Sequence, residues 1–197
     1  MTTLLLVRHG RSVANATGIL AGRAPGVPLD EVGQAQAAGL RAGLAQVSRA
    51  YSSPLERCVA TARLAGFAAP RLVAALTEVD YGELTGRRFD DEVVLSYWSR
   101  MCATPEQVFF PAGERLPEVR ERVLAAARAI AYESPGRTVA VFTHGDPIKL
   151  ILADALGMPF ANYQRIQVSP GSVSIVEYGD APSVRGISIS AGISAAD

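Results

Sequence analysis

The sequence predicts an α/β fold in one domain, a three-layer sandwich whose mainly parallel sheet carries helices on both faces. Three observations support this. Leu4–Val7 and Val139–Phe142 are continuous apolar runs, as expected for strands buried on both faces of a parallel sheet. Each run ends in a histidine followed by glycine, His9-Gly10 and His144-Gly145, and these are the only two histidines of the chain. Strand-like and helix-like segments alternate along the sequence, the signature of a parallel sheet with crossover helices. Ligands of open α/β sheets bind at the carboxyl edge, so the two imidazoles are expected to leave the sheet there and form one site.

The elements follow in order. Residues 3–9 read as the first strand, and 10–29 as a long loop rich in Gly, Ala and Pro. A helix is expected over 30–47, with Leu40, Leu44 and Val47 on one face. Residues 48–52 form a short strand. Ser53-Pro54-Leu55-Glu56 then reads as a helix start, with Ser53 as cap, Pro54 in the first position and Glu56 completing a capping box. That helix runs to about Ala65, and 71–76 suggests another strand. Residues 85–115 are the least regular, with a helix near 90–102 before Pro105, Pro111 and Gly113. A strong helix spans 115–133 and a strand 137–143. Asp146-Pro147 reads as a cap and first-turn proline for a helix ending near Leu156. The β-rich runs 172–178 and 184–189 close the sheet. The domain is expected to cover 1–190, with 85–115 as an insertion that sets specificity and 191–197 as a flexible tail.

With 197 residues, 49% hydrophobic and 19% charged, the chain is long enough for one well-buried core. Nineteen basic and nineteen acidic residues give zero net charge, which offers no global field for nucleic acid or an anionic membrane. The positive charge is almost all arginine; Lys149 is the only lysine. Cys58 and Cys102 lack metal-ligand spacing and read as reduced thiols. The apolar start is short and interrupted by Arg8, and no window approaches a membrane span, so a cytoplasmic address is expected.

Three elements could carry chemistry. Arg8 beside His9 disfavours the imidazolium and leaves a nucleophilic nitrogen, while Gly10 permits a sharp turn and close ligand approach. Arg57 falls in the first turn of a helix, where free N–H groups and the dipole favour an anion. His144 stands just before another helix start. Each has a bland reading as well, a structural histidine or a solvated arginine. Together, two histidines and two arginines can converge on one anion.

With these residues the sequence resembles the histidine phosphatase superfamily, which includes phosphoglycerate mutases. Leu-Val-Arg8-His9-Gly-x-Ser with Asn15 behind it looks like the family's signature. Ser53-Pro54-Leu55-x-Arg57-x-x-x-Thr61-Ala62, Glu78-x-Asp80-Tyr81-Gly82-x-Leu84-x-Gly86, Pro111-x-Gly113-Glu114 and Thr143-His144-Gly145 resemble its later motifs, in the family's order. The resemblance implies a phosphoglycerate mutase-like fold and a set of roles. His9 would attack phosphorus and carry the phosphoryl group. Arg8 and Arg57 would hold its equatorial oxygens, with Asn15, His144 and Gly145 completing the phosphate site. Glu78 would protonate the leaving oxygen and then activate water. No metal is implied, since arginines supply the positive charge, and no cofactor except a bisphosphoglycerate primer if the protein is a mutase.

Other positions depart from the family's glycolytic mutases. Ala14 stands where they carry Trp, Val79 where they carry a basic residue, and the loop Gly22–Leu29 lacks their Asp. Their large basic insertion is replaced by a shorter segment that still holds Arg87, Arg88, Arg100 and Arg115. These differences favour a phosphatase acting on a small phosphorylated metabolite. The alternatives are a phosphoglycerate mutase or other phosphomutase, and a non-catalytic phospho-ligand binding protein. Arg11 and Arg23 are a candidate specificity pair for a second acidic group, or two solvated loop arginines. Tyr97 and Trp98 line the pocket mouth or belong to a helix core. The strands near the C-terminus finish the sheet or pair in a homodimer.

Overall fold

The computed structural model describes residues 1–190. The tail expected over 191–197 lies outside the described residues. The strands are β1 (Thr2–Arg8), β2 (Ala50–Ser52), β3 (Arg71–Leu72), β4 (Thr138–Thr143), β5 (Val173–Tyr178) and β6 (Ser183–Ile189). The helices are α1 (Val13–Thr17), α2 (Glu31–Gly39), α3 (Glu56–Leu64), α4 (Glu92–Ala103), α5 (Leu116–Tyr132) and α6 (Gly145–Ala155). The strands form one six-stranded sheet in the order β3-β2-β4-β1-β5-β6. The first four of these strands are mutually parallel, and β5 and β6 join antiparallel.

Both faces of the sheet are covered. Leu4, Leu6, Val139 and Val141 pack with α4, α5 and α6, whereas Leu5, Val7, Ala140 and Phe142 pack with α3 and the segment following α2. Alternate residues therefore enter opposite cores, which is why the strands read as continuous apolar runs.

Four local expectations are corrected. The helix expected over 30–47 ends at Gly39 and gives way to turns; Gly39 and Gly43 are poor helix formers, yet Leu40, Leu44 and Val47 remain buried. The strand expected over 71–76 stops at Leu72 and becomes a 3₁₀ turn, Ala74–Leu76. The Ala75 carbonyl accepts from Arg122 and the Leu76 carbonyl from Thr143, so side chains take acceptors that a longer strand would use. Ser53 does not cap α3: the helix begins at Glu56 without a side-chain cap, because the Ser53 hydroxyl is engaged elsewhere. Likewise Asp146 lies within α6, whose cap position is His144.

Among the described residues, no helix is long and apolar enough to cross a membrane.

Candidate active site

Strand register brings the histidines together. Arg8 of β1 is paired with Thr143 of β4, so the next residue of each parallel strand leaves the sheet at the same edge. The His9 amide donates to the Thr143 carbonyl at 3.0 Å. The two rings meet edge to face with centroids 5.2 Å apart. On the other side of β4, Ser52 of β2 is paired with Phe142, and the chain continues through 53–55 into α3, which carries Arg57. Three adjacent strand ends thus deliver His9, His144 and Arg57. Both imidazoles are buried, and burial together with Arg57 and Arg8 holds both pKa values well below the usual histidine range.

His9 Nδ1 lies 2.8 Å from the Gly10 carbonyl oxygen. A carbonyl only accepts, so Nδ1 carries the proton and Nε2 carries the lone pair. Arg57 Nε points at that lone pair from 3.3 Å, and Arg57 Nη2 is anchored on the Gly22 carbonyl at 2.7 Å. Thr61 ties the turn to the helix: its hydroxyl accepts from the Gly10 amide at 3.0 Å and donates to the Arg57 carbonyl at 2.7 Å. A Cβ at Gly10 would lie 2.3 Å from the Gly33 carbonyl oxygen. Gly10→Ala is therefore expected to destabilise the fold by about 3 kcal/mol, since backbone meets backbone and neither can yield cheaply. Thermal melting of the variant checks this.

Arg8 forms the next wall. One of its terminal nitrogens donates to the Val168 carbonyl at 2.5 Å, while Nε is buried without a hydrogen-bond partner. A buried guanidinium N–H without a partner, on a residue lining a pocket, is suited to an anion's oxygen. Gly145 also lines the pocket, and a Cβ there would be 3.6 Å from the Arg8 guanidinium carbon. Asn15 lines it too; its Oδ1 accepts from the Ser12 amide at 3.1 Å and hydroxyl at 3.0 Å, which leaves its NH₂ to donate. His144 is set back: it is fully buried behind the lining, with Nε2 2.8 Å from the Ser53 hydroxyl and 3.4 Å from Cys58 Sγ.

Glu78 faces this group from another segment of the pocket wall. Its Oε1 accepts from the Val79 amide at 3.0 Å. Its backbone carbonyl is held by Arg23 Nε at 3.0 Å and by Arg122 Nη2 at 3.1 Å. Glu114 joins those two arginines, 2.6 Å from Arg23 and 2.9 Å from Arg122. The Pro-x-Gly-Glu motif thereby braces the segment that carries Glu78. Burial, then the nearby Asp146 carboxylate, raises the Glu78 pKa to about 7.

The candidate specificity pair takes other partners. Arg11 Nε binds Asp30 at 2.6 Å, Arg23 serves the brace just described, and neither lines the pocket. Arg87, Arg88 and Arg115 pair with acidic residues of their own segment, and Arg100 lies over the Tyr97 ring. Tyr97 stacks on Phe110, whereas Trp98 reaches the pocket with Phe89.

The pocket opens to solvent, and the space between and in front of its walls amounts to about 530 Å³. Two of its charged residues escaped the sequence reading as site residues, Asp146 and Lys149. Their signal was available: they follow His144 on the helix that starts at the sheet edge, and Lys149 stands four residues beyond Gly145. Among the described residues, no group of three or more His, Cys, Asp or Glu side chains is arranged to share a metal ion.

Residues 4–185 match the model of the histidine phosphatase superfamily (branch 1). A bifunctional protein of Mycobacterium tuberculosis is 35% identical over 190 residues, covering 90% of this chain and 50% of that protein, so the chain spans about half its length. A 2,3-bisphosphoglycerate-dependent phosphoglycerate mutase of Rhizobium etli is 33% identical over 168 residues, covering 76% of this chain and 78% of the mutase. The crystal structure of the alpha-ribazole phosphatase from Shigella flexneri superposes with a TM-score of 0.82 at 27% identity, covering 99% of this chain and 100% of that one.

Proposed function

The chain belongs to the histidine phosphatase superfamily, branch 1, and from that premise we propose that it is a metal-independent phosphatase of small phosphomonoesters, acting through a phosphohistidine on His9. One observation carries the reading: the Gly10 carbonyl fixes the His9 tautomer so that Nε2 presents its lone pair beside Arg57, in a pocket shared with Arg8 and Glu78.

The reaction balances in two halves. His9 Nε2 forms a bond to phosphorus as the bond to the ester oxygen breaks, and Glu78 gives its proton to the departing alkoxide. Arg8 and Arg57 hold the charge on the transferring group, with Asn15 and the Gly145 backbone as further ligands, while His144, behind the lining, packs against the His9 ring and positions it. The ionised Glu78 then takes a proton from water, which attacks phosphorus and releases phosphate and free His9.

A phosphomutase would use the same first half and is favoured by the relative named as a phosphoglycerate mutase. The test is phosphate release from a panel of sugar phosphates, phosphoglycerates, nucleotides and phosphopeptides, with phosphoglycerate added as acceptor. The hydrolase reading predicts stoichiometric free phosphate; quantitative transfer to the acceptor instead would establish the mutase. Treatment with a chelator is expected to leave the rate within about twofold, because the guanidiniums supply the positive charge. Loss of activity restored by a divalent cation would contradict this.

A further inference from the structure

The chain's only lysine stands in this pocket with a task the phosphoryl transfer does not assign. We propose that Lys149 selects the leaving group by donating a hydrogen bond to one of its hydroxyls, so that polyol and sugar phosphates are preferred over esters carrying a second anion at that place. The proposal rests on the phosphatase reading above.

Position comes first. Gly145 and Lys149 are four residues apart on α6 and share a face. Gly145 lies against the Arg8 guanidinium, at the phosphate end of the pocket. Lys149 is one helical turn farther along, a step of about 5.4 Å. A hydroxyl on the second or third carbon of the leaving group lies four or five bonds from phosphorus and spans a gap of that order.

The ammonium group is already held in place. Nζ donates to Gln164 Oε1 at 2.7 Å, lies 3.6 Å from Asp146 Oδ1, and sits 5.9 Å from the centre of the Trp98 ring. The Gln164 amide is itself oriented, because its nitrogen donates to Asp146 Oδ1 at 3.0 Å. An ammonium has three donors; Gln164 takes one, Asp146 lies at ion-pair distance only, and donor capacity is left for a ligand. Its side chain is largely buried, so little further freedom is lost when a ligand binds.

Charge decides which ligand. Asp146 is buried and accepts from the Tyr81 hydroxyl at 2.8 Å, so its carboxylate is fixed beside Lys149 and cancels the lysine's charge. A substrate carboxylate at that place would add a second anion next to Asp146. Like charges in a partly desolvated site repel, whereas a neutral hydroxyl gains the donor without that cost.

Three substrates test this: glycerol 1-phosphate, n-propyl phosphate, which lacks the hydroxyls, and 3-phosphoglycerate, which carries a carboxylate. Wild-type kcat/KM is expected to favour glycerol 1-phosphate over each of the others by about tenfold or more, the scale of one hydrogen bond from a charged donor. Lys149→Met is expected to bring glycerol 1-phosphate within about twofold of n-propyl phosphate. A wild type that does not discriminate, or that prefers 3-phosphoglycerate, overturns the proposal, and so does a Lys149→Met variant that keeps the full preference. If that variant fails to fold, the wild-type ratios decide alone. Hydrolysis of p-nitrophenyl phosphate, compared with His9→Ala, reports separately on the phosphatase reading.

Discussion

His9→Ala is expected to lower kcat/KM on every phosphomonoester by about 10⁴-fold or more, a loss of roughly 5 kcal/mol or greater in transition-state stabilisation. The variant removes the nitrogen proposed to attack phosphorus, and among the described residues no neighbour is placed to replace it. His144 is set behind the lining with Nε2 at the Ser53 hydroxyl. Cys58 is buried, and burial pushes its thiol pKa up to about 12, so it stays protonated and weakly nucleophilic. Steady-state kinetics with a sensitive aryl phosphate checks the size of the loss. Activity within tenfold of wild type would remove His9 from the nucleophile's role.

Glu78→Gln is expected to separate substrates by leaving group. Glutamine cannot give a proton, so esters of ordinary alcohols should slow by about 10²- to 10³-fold, while p-nitrophenyl phosphate, which leaves without help, should slow far less. Equal losses on both would contradict the general-acid role. The pH dependence has a definite sign. Burial and then Asp146 raise the Glu78 pKa to about 7, so the acid is protonated below that value and ionised above it. Wild-type kcat/KM on poor leaving groups should therefore fall as pH passes about 7, and the descending limb should vanish in the variant. Stability carries the opposite consequence. The folded-state pKa lies above that of the unfolded chain, so folding favours the protonated carboxyl, and stability is lost as pH rises from the unfolded pKa through about 7. Glu78→Gln removes that penalty and is expected to be more stable than wild type at pH 8 by about 1–3 kcal/mol. Denaturant unfolding at pH 5 and pH 8 measures the difference.

The parts of the molecule legible in the sequence are those that one local pattern determines. Apolar runs buried on both faces announce β1 and β4, and the histidine ending each run marks the sheet edge where the pocket lies. Arg57 is readable because its helix start is local. What the sequence conceals is competition for polar atoms. Ser53 and Asp146 both look like helix caps, but tertiary partners take their oxygens: His144 for Ser53, Tyr81 and Gln164 for Asp146. Arg11 and Arg23 look available for substrate until Asp30 and Glu114 are brought beside them. Trp98 and Tyr97 are adjacent in sequence, yet the helix turns one toward the pocket and the other onto Phe110. Such partners come from segments distant in the chain, and no spacing rule within one segment reveals them.

In the proposed reaction, phosphate passes through His9. Rapid acid-free quenching of enzyme with a labelled phosphomonoester, followed by denaturation and peptide mapping, tests it most directly. The prediction is a phosphorylated enzyme, up to one phosphate per chain, stable to alkali, lost in acid, and carried on the peptide containing His9. A phosphoenzyme mapped to any other residue, or product formed at full rate with no phosphoenzyme while its hydrolysis is shown to be slow enough to capture, would contradict it.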